Sequence, residues 1–240
     1  MAGGRTSVPR SEEELRAIYD QRYVDEYDAH AVRRIRRMLP FFELTGDDIA
    51  ADFGCGNGVL LELISPRVRQ YVGIDFSDAF VHAAERRRND HGIQNGTFHC
   101  GDITTFCAQH ANRFDVAFAL DVSEHIYDDQ FLRIGRAIHR ALKPEGALYL
   151  HTPNADYFME RLRASGILRP IEGHVAVRDA KRNEALLTQC GFTNVRVRYL
   201  AHYLRAAGAF HGLGALPVIG RHFRARLFLS CRKGPRGSGH

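Results

Sequence analysis

Apolar residues in this chain come in short unbroken runs, separated by turn signals and by longer stretches of helical period. Ile49-Ala50-Ala51 predicts a buried strand, Val59 through Ile64 a helix, and Val72-Gly73-Ile74 a second buried strand that stops at Asp75. Phe114 through Leu120 reads as a further buried strand. Arg178 to Cys190 reads as an amphipathic helix stopped by Gly191, and Thr193 to Leu200 as a strand. Near the start, Ser11-x-x-Glu14 is a capping box that opens a helix, and a second helix runs from about Ala29 to Leu39, ahead of Pro40. Strands alternating with helices predict one α/β domain on a doubly wound, Rossmann-like sheet.

Composition narrows this picture. With 240 residues, 45% of them hydrophobic, the chain can bury one full core, and a second large domain is not expected. No apolar stretch approaches the roughly 18 residues of a membrane span, and Met1 to Arg10 lacks the apolar run of a signal peptide, so a cytoplasmic protein is expected. Cys55, Cys100, Cys107, Cys190 and Cys231 are an odd set without paired C-x-x-C spacing, which predicts reduced, mostly buried thiols. The net charge of +5 is carried almost entirely by arginine, lysine occurring only at positions 143, 181 and 233. The groups Arg33-Arg34-x-Arg36-Arg37, Arg86-Arg87-Arg88 and Arg221 to Lys233 read as solvated faces, and no nucleic-acid partner is expected.

The first candidate chemistry lies between the first strand and its helix, in Asp52-Phe53-Gly54-Cys55-Gly56-Asn57-Gly58. Glycine turns the chain tightly and leaves backbone N–H groups bare, so a ligand can approach the partly positive start of the following helix. Asp75, at the tip of the next strand, is placed to accept hydrogen bonds from ribose hydroxyls. The pair describes a nucleotide pocket. An NAD-dependent oxidoreductase would reuse Asp75 and the glycines, but Gly54-x-Gly56-x-Gly58 is not the G-x-G-x-x-G spacing of dinucleotide folds.

With Asp52 before its glycines and an acid closing the second strand, the chain resembles the class I S-adenosylmethionine-dependent methyltransferases over roughly residues 45–200. The resemblance implies S-adenosyl-L-methionine as cofactor and a sheet of about seven strands ending in an antiparallel pair, within a domain at 45–233 followed by a disordered tail at 234–240. Phe98-His99-Cys100-Gly101-Asp102-Ile103 is similar to the family's third strand, which assigns Asp102 and Ile103 to the adenine. Lys143-Pro144-Glu145-Gly146 followed by Ala147 to Leu150 is similar to its turn into the fifth strand, and Phe223 to Cys231 to its last strand. The remaining donor contacts implied are Asp52, Gly54, Cys55, Gly56, Phe76 and Leu120, the last at the methionine end. Residues 1–44 resemble a helical lid. Tyr19, Tyr23 and Tyr27 recur on one helical face, where Tyr19 and Tyr23 would close over the cofactor or simply pack against the sheet.

The second candidate is Asp121-Val122-Ser123-Glu124-His125, just past the fourth strand. A helix beginning there puts Asp121 and Glu124 on one face, with His125 one residue further. Two carboxylates and an imidazole suit a divalent metal, with His174 of Glu172-Gly173-His174 as a distant fourth ligand. The pattern is similar to the acid-x-x-Glu-His of ubiquinone-biosynthesis O-methyltransferases and small-RNA 2′-O-methyltransferases, where an ion grips the acceptor's oxygens. Those families usually carry glutamate where this chain has the shorter Asp121. In members without metal, the glutamate caps a helix and the histidine lines the acceptor pocket.

A neutral imidazole, with its ordinary pKa of about 6.5, can take a proton from a phenol, so His125 is the candidate general base, with Glu124 beside it. The alternative is a histidine packed at a helix start. His151, before Thr152-Pro153-Asn154, is a weaker second candidate. Tyr157, Phe158, Met159 and Leu162 offer an apolar face to the acceptor or to the core. The apolar connection at 206–222 is a candidate for packing beside the pocket, for a dimer contact or for a membrane surface. The expectation is O-methylation of a small phenolic, catechol or quinone-precursor acceptor. Its alternative is metal-independent N- or O-methylation of an amine, sugar or lipid headgroup.

Overall fold

A computed structural model describes residues 31–171, 173–201, 209–216 and 219–235. Its seven strands are β1 (Ile49–Phe53), β2 (Gln70–Asp75), β3 (Gly96–Cys100), β4 (Phe114–Leu120), β5 (Leu142–Pro153), β6 (Phe192–Leu200) and β7 (Arg226–Lys233). Its helices, after a helical stretch at 31–36, are α1 (Val59–Ile64), α2 (Asp78–Asp90), α3 (Ile103–Ala108), α4 (Asp128–Ala141), α5 (Phe158–Ala164) and α6 (Ala180–Gln189). The strands lie in one sheet in the order β3-β2-β1-β4-β5-β7-β6. All pairings are parallel except those of β7, which runs antiparallel to both β5 and β6.

Alternation along the strands builds two cores. Ala51, Phe53, Val72, Ile74, Ala117, Leu148 and Leu229 face one way, against Phe106 of α3, Phe131 and Ile138 of α4, and Leu186 of α6. Ala50, Tyr71, Val116, Phe118, Tyr149 and Phe228 face the other way, against α1, Val81 and Ala84 of α2, and Ala31, Ile35, Met38 and Phe42. The parallel strands are therefore apolar on both faces, which is why they read as unbroken runs. Gly73 is needed where β2 passes β3, since a Cβ there would lie 2.5 Å from the Phe98 ring.

Helix starts follow their capping chemistry. Ser77 caps α2 through a bond from Phe80 N–H, Asp179 caps α6 through Arg182 N–H, and Asp128 and Asp129 place negative charge in the first turn of α4. Predicted boundaries differ in several places: β5 already begins at Leu142 and takes in Lys143 to Gly146, expected as a turn, with Glu145 at a φ of 65°. The second leading helix gives way at 37–38 to a 3₁₀ turn, Leu39–Phe41, which holds Pro40 in its first turn, where no N–H is required. The last strand starts at Arg226, because Gly220–Phe223 forms another 3₁₀ turn. Among the described residues no helix is long and apolar enough to cross a membrane. Tyr19, Tyr23 and the rest of the leading segment to residue 30 lie outside the described residues, as do 202–208, 217–218 and the tail from 236.

Candidate active site

The carboxyl ends of β1, β2 and β4 converge on the glycine turn. Gly54, Gly56 and Gly58 all take positive φ, of 77°, 52° and 79°, and the N–H groups of Gly54 and Cys55 donate to Ile74 O at 2.8 and 3.1 Å. A Cβ on Gly54 would lie 2.4 Å from Val122 Cγ2, so the loop after β4 packs directly on the turn. Asp75 flanks the turn on the β2 side, 7% exposed; its Oδ2 accepts Gly56 N–H and its Oδ1 accepts Ser77 N–H, each at 3.0 Å. Burial raises its pKa although both bonds oppose the shift. Two carboxylate oxygens anchored by backbone still offer lone pairs to a diol. Phe76, next along the chain, is 39% exposed and gives a purine a face to lie on. These features fit the adenosine half of S-adenosylmethionine, with Leu120 buried at the end of β4.

Asp102 is held at the start of α3. It caps α3, its Oδ1 accepting Thr105 N–H at 2.9 Å and the hydroxyls of Thr104 and Thr105. Partial burial works against ionisation, yet these bonds hold its carboxyl below the usual range. Ile103, beside it, is the partly buried first residue of that helix.

Asp52 lies beneath the turn, where Tyr71 Oη donates to its Oδ2 at 2.5 Å. Burial pushes this carboxyl up to about 7, with the nearby Asp75 adding and the Tyr71 bond opposing. The folded chain keeps the Asp52 proton to about pH 7 while the unfolded chain releases it near 3.8, so stability from this group is full below pH 4 and drains as pH rises. Asp52→Asn mimics the protonated form. Its unfolding free energy relative to the parent is expected to rise by about 2–3 kcal/mol between pH 5 and 8. A gap that stays constant across that range in urea titrations would mean the folded carboxyl titrates normally.

On the acceptor side the structure corrects the helix expected at Asp121. That residue has φ of 57°, the helix proper begins at Asp128, and a single 3₁₀ turn, Ser123–His125, lies between them. With this left-handed backbone the Asp121 carboxylate sits among two guanidinium groups and an imidazole. Arg34 Nε lies 2.7 Å from its Oδ2, while His151 Nδ1 and Arg226 Nη1 lie 2.9 and 3.3 Å from its Oδ1. Burial opposes ionisation, but Arg34, His151 and Arg226 hold the carboxyl far below the usual range. His151, the second candidate base, turns its Nδ1 to Asp121 and is 2% exposed.

Glu124, His125 and His174 do converge. One ligand atom from each lies within 4.8 Å of the others, and the two imidazoles meet edge to face at 5.1 Å. Asp121 is not one of this group. Residues 173–178 form a strap that delivers His174: Gly173 O is 2.9 Å from His125 Nδ1, and the N–H groups of Val175 and Ala176 both donate to Glu124 O. Buried Arg178 ties the strap down, donating to Ser123 O, Ile126 O and the Asp128 carboxylate. A carbonyl can only accept, so Nδ1 of His125 carries the proton and Nε2 the lone pair. Burial keeps His125 below its ordinary pKa, and holds His174 down to about 3 with help from His125 and Arg226. Glu124, 1% exposed, is pushed up to about 8 by burial and the Asp121 charge, against Arg226 and a bond from Thr152.

Arg34, Tyr71, Arg178 and Arg226 carry much of this geometry and escaped the sequence reading. Arg34 and Arg226 had been placed among solvated charge groups; Arg178 had only opened a helix. Their partners lie 19 to 105 residues away, beyond any local spacing signal. Tyr157 is buried and starts α5, none of whose own residues is buried. Part of the apolar connection is described: Leu213, Leu216 and Ile219 are exposed. All five cysteines are free thiols, and Cys100 alone of them is exposed.

The sheet order, the glycine turn and the carboxylate at the tip of β2 together define a class, the S-adenosylmethionine-dependent methyltransferases. The chain belongs to the family described as Methyltransferase domain, which matches residues 24–197. A ubiquinone biosynthesis O-methyltransferase of Idiomarina loihiensis is 33% identical over 129 residues, 52% of this chain and 51% of that protein. One from Coxiella burnetii is 28% identical over 106 residues, 44% of each. The chain thus spans about half the length of the curated relatives it matches. The structure of Haemonchus contortus phosphoethanolamine N-methyltransferase 2 with S-adenosyl-L-methionine superposes with a TM-score of 0.70 at 15% identity, over 95% of this chain and 61% of that one, a likeness of fold alone.

Proposed function

We propose that this chain moves the methyl group of S-adenosylmethionine to an oxygen of a small phenolic, catechol or quinone-precursor acceptor, with His125 taking the acceptor's proton. The observation that carries this reading is the meeting of Glu124, His125 and His174 on the loop that packs against the donor turn through Val122 and Gly54. Methyl transfer is an in-line displacement that needs the acceptor oxygen about 3–3.5 Å from the methyl carbon. Asp75 would hold the ribose and Phe76, Asp102 and Ile103 the adenine. The neutral His125 imidazole, oriented by Gly173, removes the phenol's proton as the oxygen attacks.

The same three residues fit a divalent cation. His174 Nδ1 is buried without a hydrogen-bond partner among the described residues, and its neutral imidazole is the form a metal requires. A cation held by Glu124, His125 and His174 would lower the pKa of an acceptor hydroxyl. His125 Nε2 then serves either as ligand or as base, and chelation separates the two.

The test is calorimetric titration of S-adenosylhomocysteine into metal-stripped chain, with and without zinc or magnesium, alongside Asp75→Asn and a catechol activity assay. Asp75→Asn is expected to weaken binding about 30-fold or more, the value of charge-assisted bonds to two hydroxyls. O-methylation of catechol supports the reading, and its loss on chelation assigns the cation. Activity confined to amines, surviving chelation, moves the reading to the metal-independent alternative.

A further inference from the structure

The face of the sheet shared by β5, β7 and β6 carries a hollow of about 340 Å³ that methyl transfer does not use. Its origin is a cross-strand row of uneven side chains. Tyr149 pairs with Ser230 and Ser230 with Arg196; Ala147 pairs with Arg232; Phe228 pairs with Arg198. The small Ala147 and Ser230 leave a gap between long neighbours, and Pro40 to Glu43 wall it on the side opposite the edge strand β6. The floor is aromatic, Tyr149 and Phe228 stacking at 5.8 Å.

The walls are cationic. Arg232 is fixed by Glu43 Oε2 at 2.6 Å and Glu145 O at 2.9 Å, and Arg198 lies over the Phe41 ring at 5.1 Å. Arg196 has no hydrogen-bond or ion-pair partner among the described residues. Against three guanidinium groups the lining residues set one carboxylate, Glu43. Charged side chains often guard an edge strand, and Arg196 and Arg198 are exposed as such guards are. Here the guanidinium groups surround a walled space that also holds the Ser230 and Tyr149 hydroxyls, and Tyr149 Oη already accepts Glu43 N–H, so its own proton is left to donate.

We propose that this hollow is a second ligand site, for a phosphate group, either free or carried by a small molecule whose apolar part lies on the Tyr149–Phe228 floor. Planar forked donors from separate strands match a tetrahedral dianion, and the neighbouring hydroxyls supply neutral donors. The hollow lies across β5, β7 and β6, whereas Asp75 and the glycine turn belong to β2 and β1 on the other side of β4.

The experiment is calorimetric titration of the full chain with inorganic phosphate and, in parallel, phenyl phosphate, at constant ionic strength set with chloride. The variants are Arg196→Gln and Arg198→Gln, exposed positions whose replacement leaves both cores intact. Saturable one-to-one binding is expected, tighter for phenyl phosphate, weakened about tenfold in Arg196→Gln, as the loss of one charge-assisted bond implies. Affinity for S-adenosylhomocysteine is expected to stay unchanged in both variants. No saturable heat, or equal affinity in parent and variants, would overturn the proposal. So would association with phosphatidic acid vesicles but not with soluble phosphate, which would make this face a membrane contact.

Discussion

Replacing Asp121 with alanine is expected to lower the unfolding free energy by about 3–5 kcal/mol, the cost of stranding buried charge after removal of its partner. Two guanidinium groups depend on this carboxylate, their side chains only 13% and 11% exposed in Arg34 and Arg226. His151 loses the acceptor for its Nδ1 as well. Alanine also tolerates the left-handed backbone poorly, adding about 1 kcal/mol. Asp121→Gly accommodates that backbone without strain, so the difference between the two variants isolates the backbone contribution.

The Asp121 carboxyl titrates far below its unfolded value, so its contribution is complete above about pH 4 and fades only as acid approaches the folded pKa. Asp121 also helps raise the Glu124 pKa, a cost the parent bears increasingly as pH climbs towards 8, so the deficit in urea midpoints between parent and variant is expected to narrow from pH 6 to 8. Arg34→Met combined with Asp121→Ala is expected to cost less than the sum of the single changes, because the second removes a charge the first has already lost. A deficit below about 1 kcal/mol for Asp121→Ala would mean that the two arginines rehydrate, and the cage would count for little. A second variant separates joint from ligand: Asp121 is not one of the Glu124, His125 and His174 group, so the heat of zinc binding is expected to survive Asp121→Asn.

Asp121 also marks where reading the sequence stops working. The glycine turn, Asp75 at the end of β2 and the unbroken run of β4 were legible because each is a local signal: a spacing, a stop, a continuous apolar stretch. The five-residue segment after β4 carried equally plain chemistry, but its conformation is set by tertiary partners. A helix is the economical reading of Asp121 through His125; two guanidinium groups from the leading segment and β7 and an imidazole from β5 instead hold Asp121 in a left-handed turn. His174 was legible as a metal-ligand type distant in sequence but its delivery was not, since what brings it in is a strap pinned by Arg178 to carbonyls some fifty residues earlier. Asp52 was singled out as a donor contact, yet its Tyr71 partner sits in a strand where a tyrosine looks like one more apolar residue. The arginine-rich hollow was hidden for the opposite reason: alternation on an edge strand is what solvent exposure predicts.

Substituting His125 with glutamine is expected to cut turnover of a phenolic acceptor by about 10²–10⁴-fold, the usual contribution of a positioned general base. Donor affinity should hold within about twofold, because no donor contact is assigned to His125 and the Asp75 and Phe76 contacts are untouched. Glutamine keeps a donor that can reach Gly173 O, so the strap stays in place and the loss falls on kcat rather than on folding. Two outcomes would sink the role. A loss under tenfold would show that the acceptor arrives already ionised or is a neutral amine, needing no base. A fall in S-adenosylhomocysteine affinity matching the fall in rate would show that His125 supports the donor pocket instead. The catechol assay in the presence of chelator then divides what remains: if the parent keeps its rate without metal and the variant does not, the Nε2 lone pair is what the reaction uses.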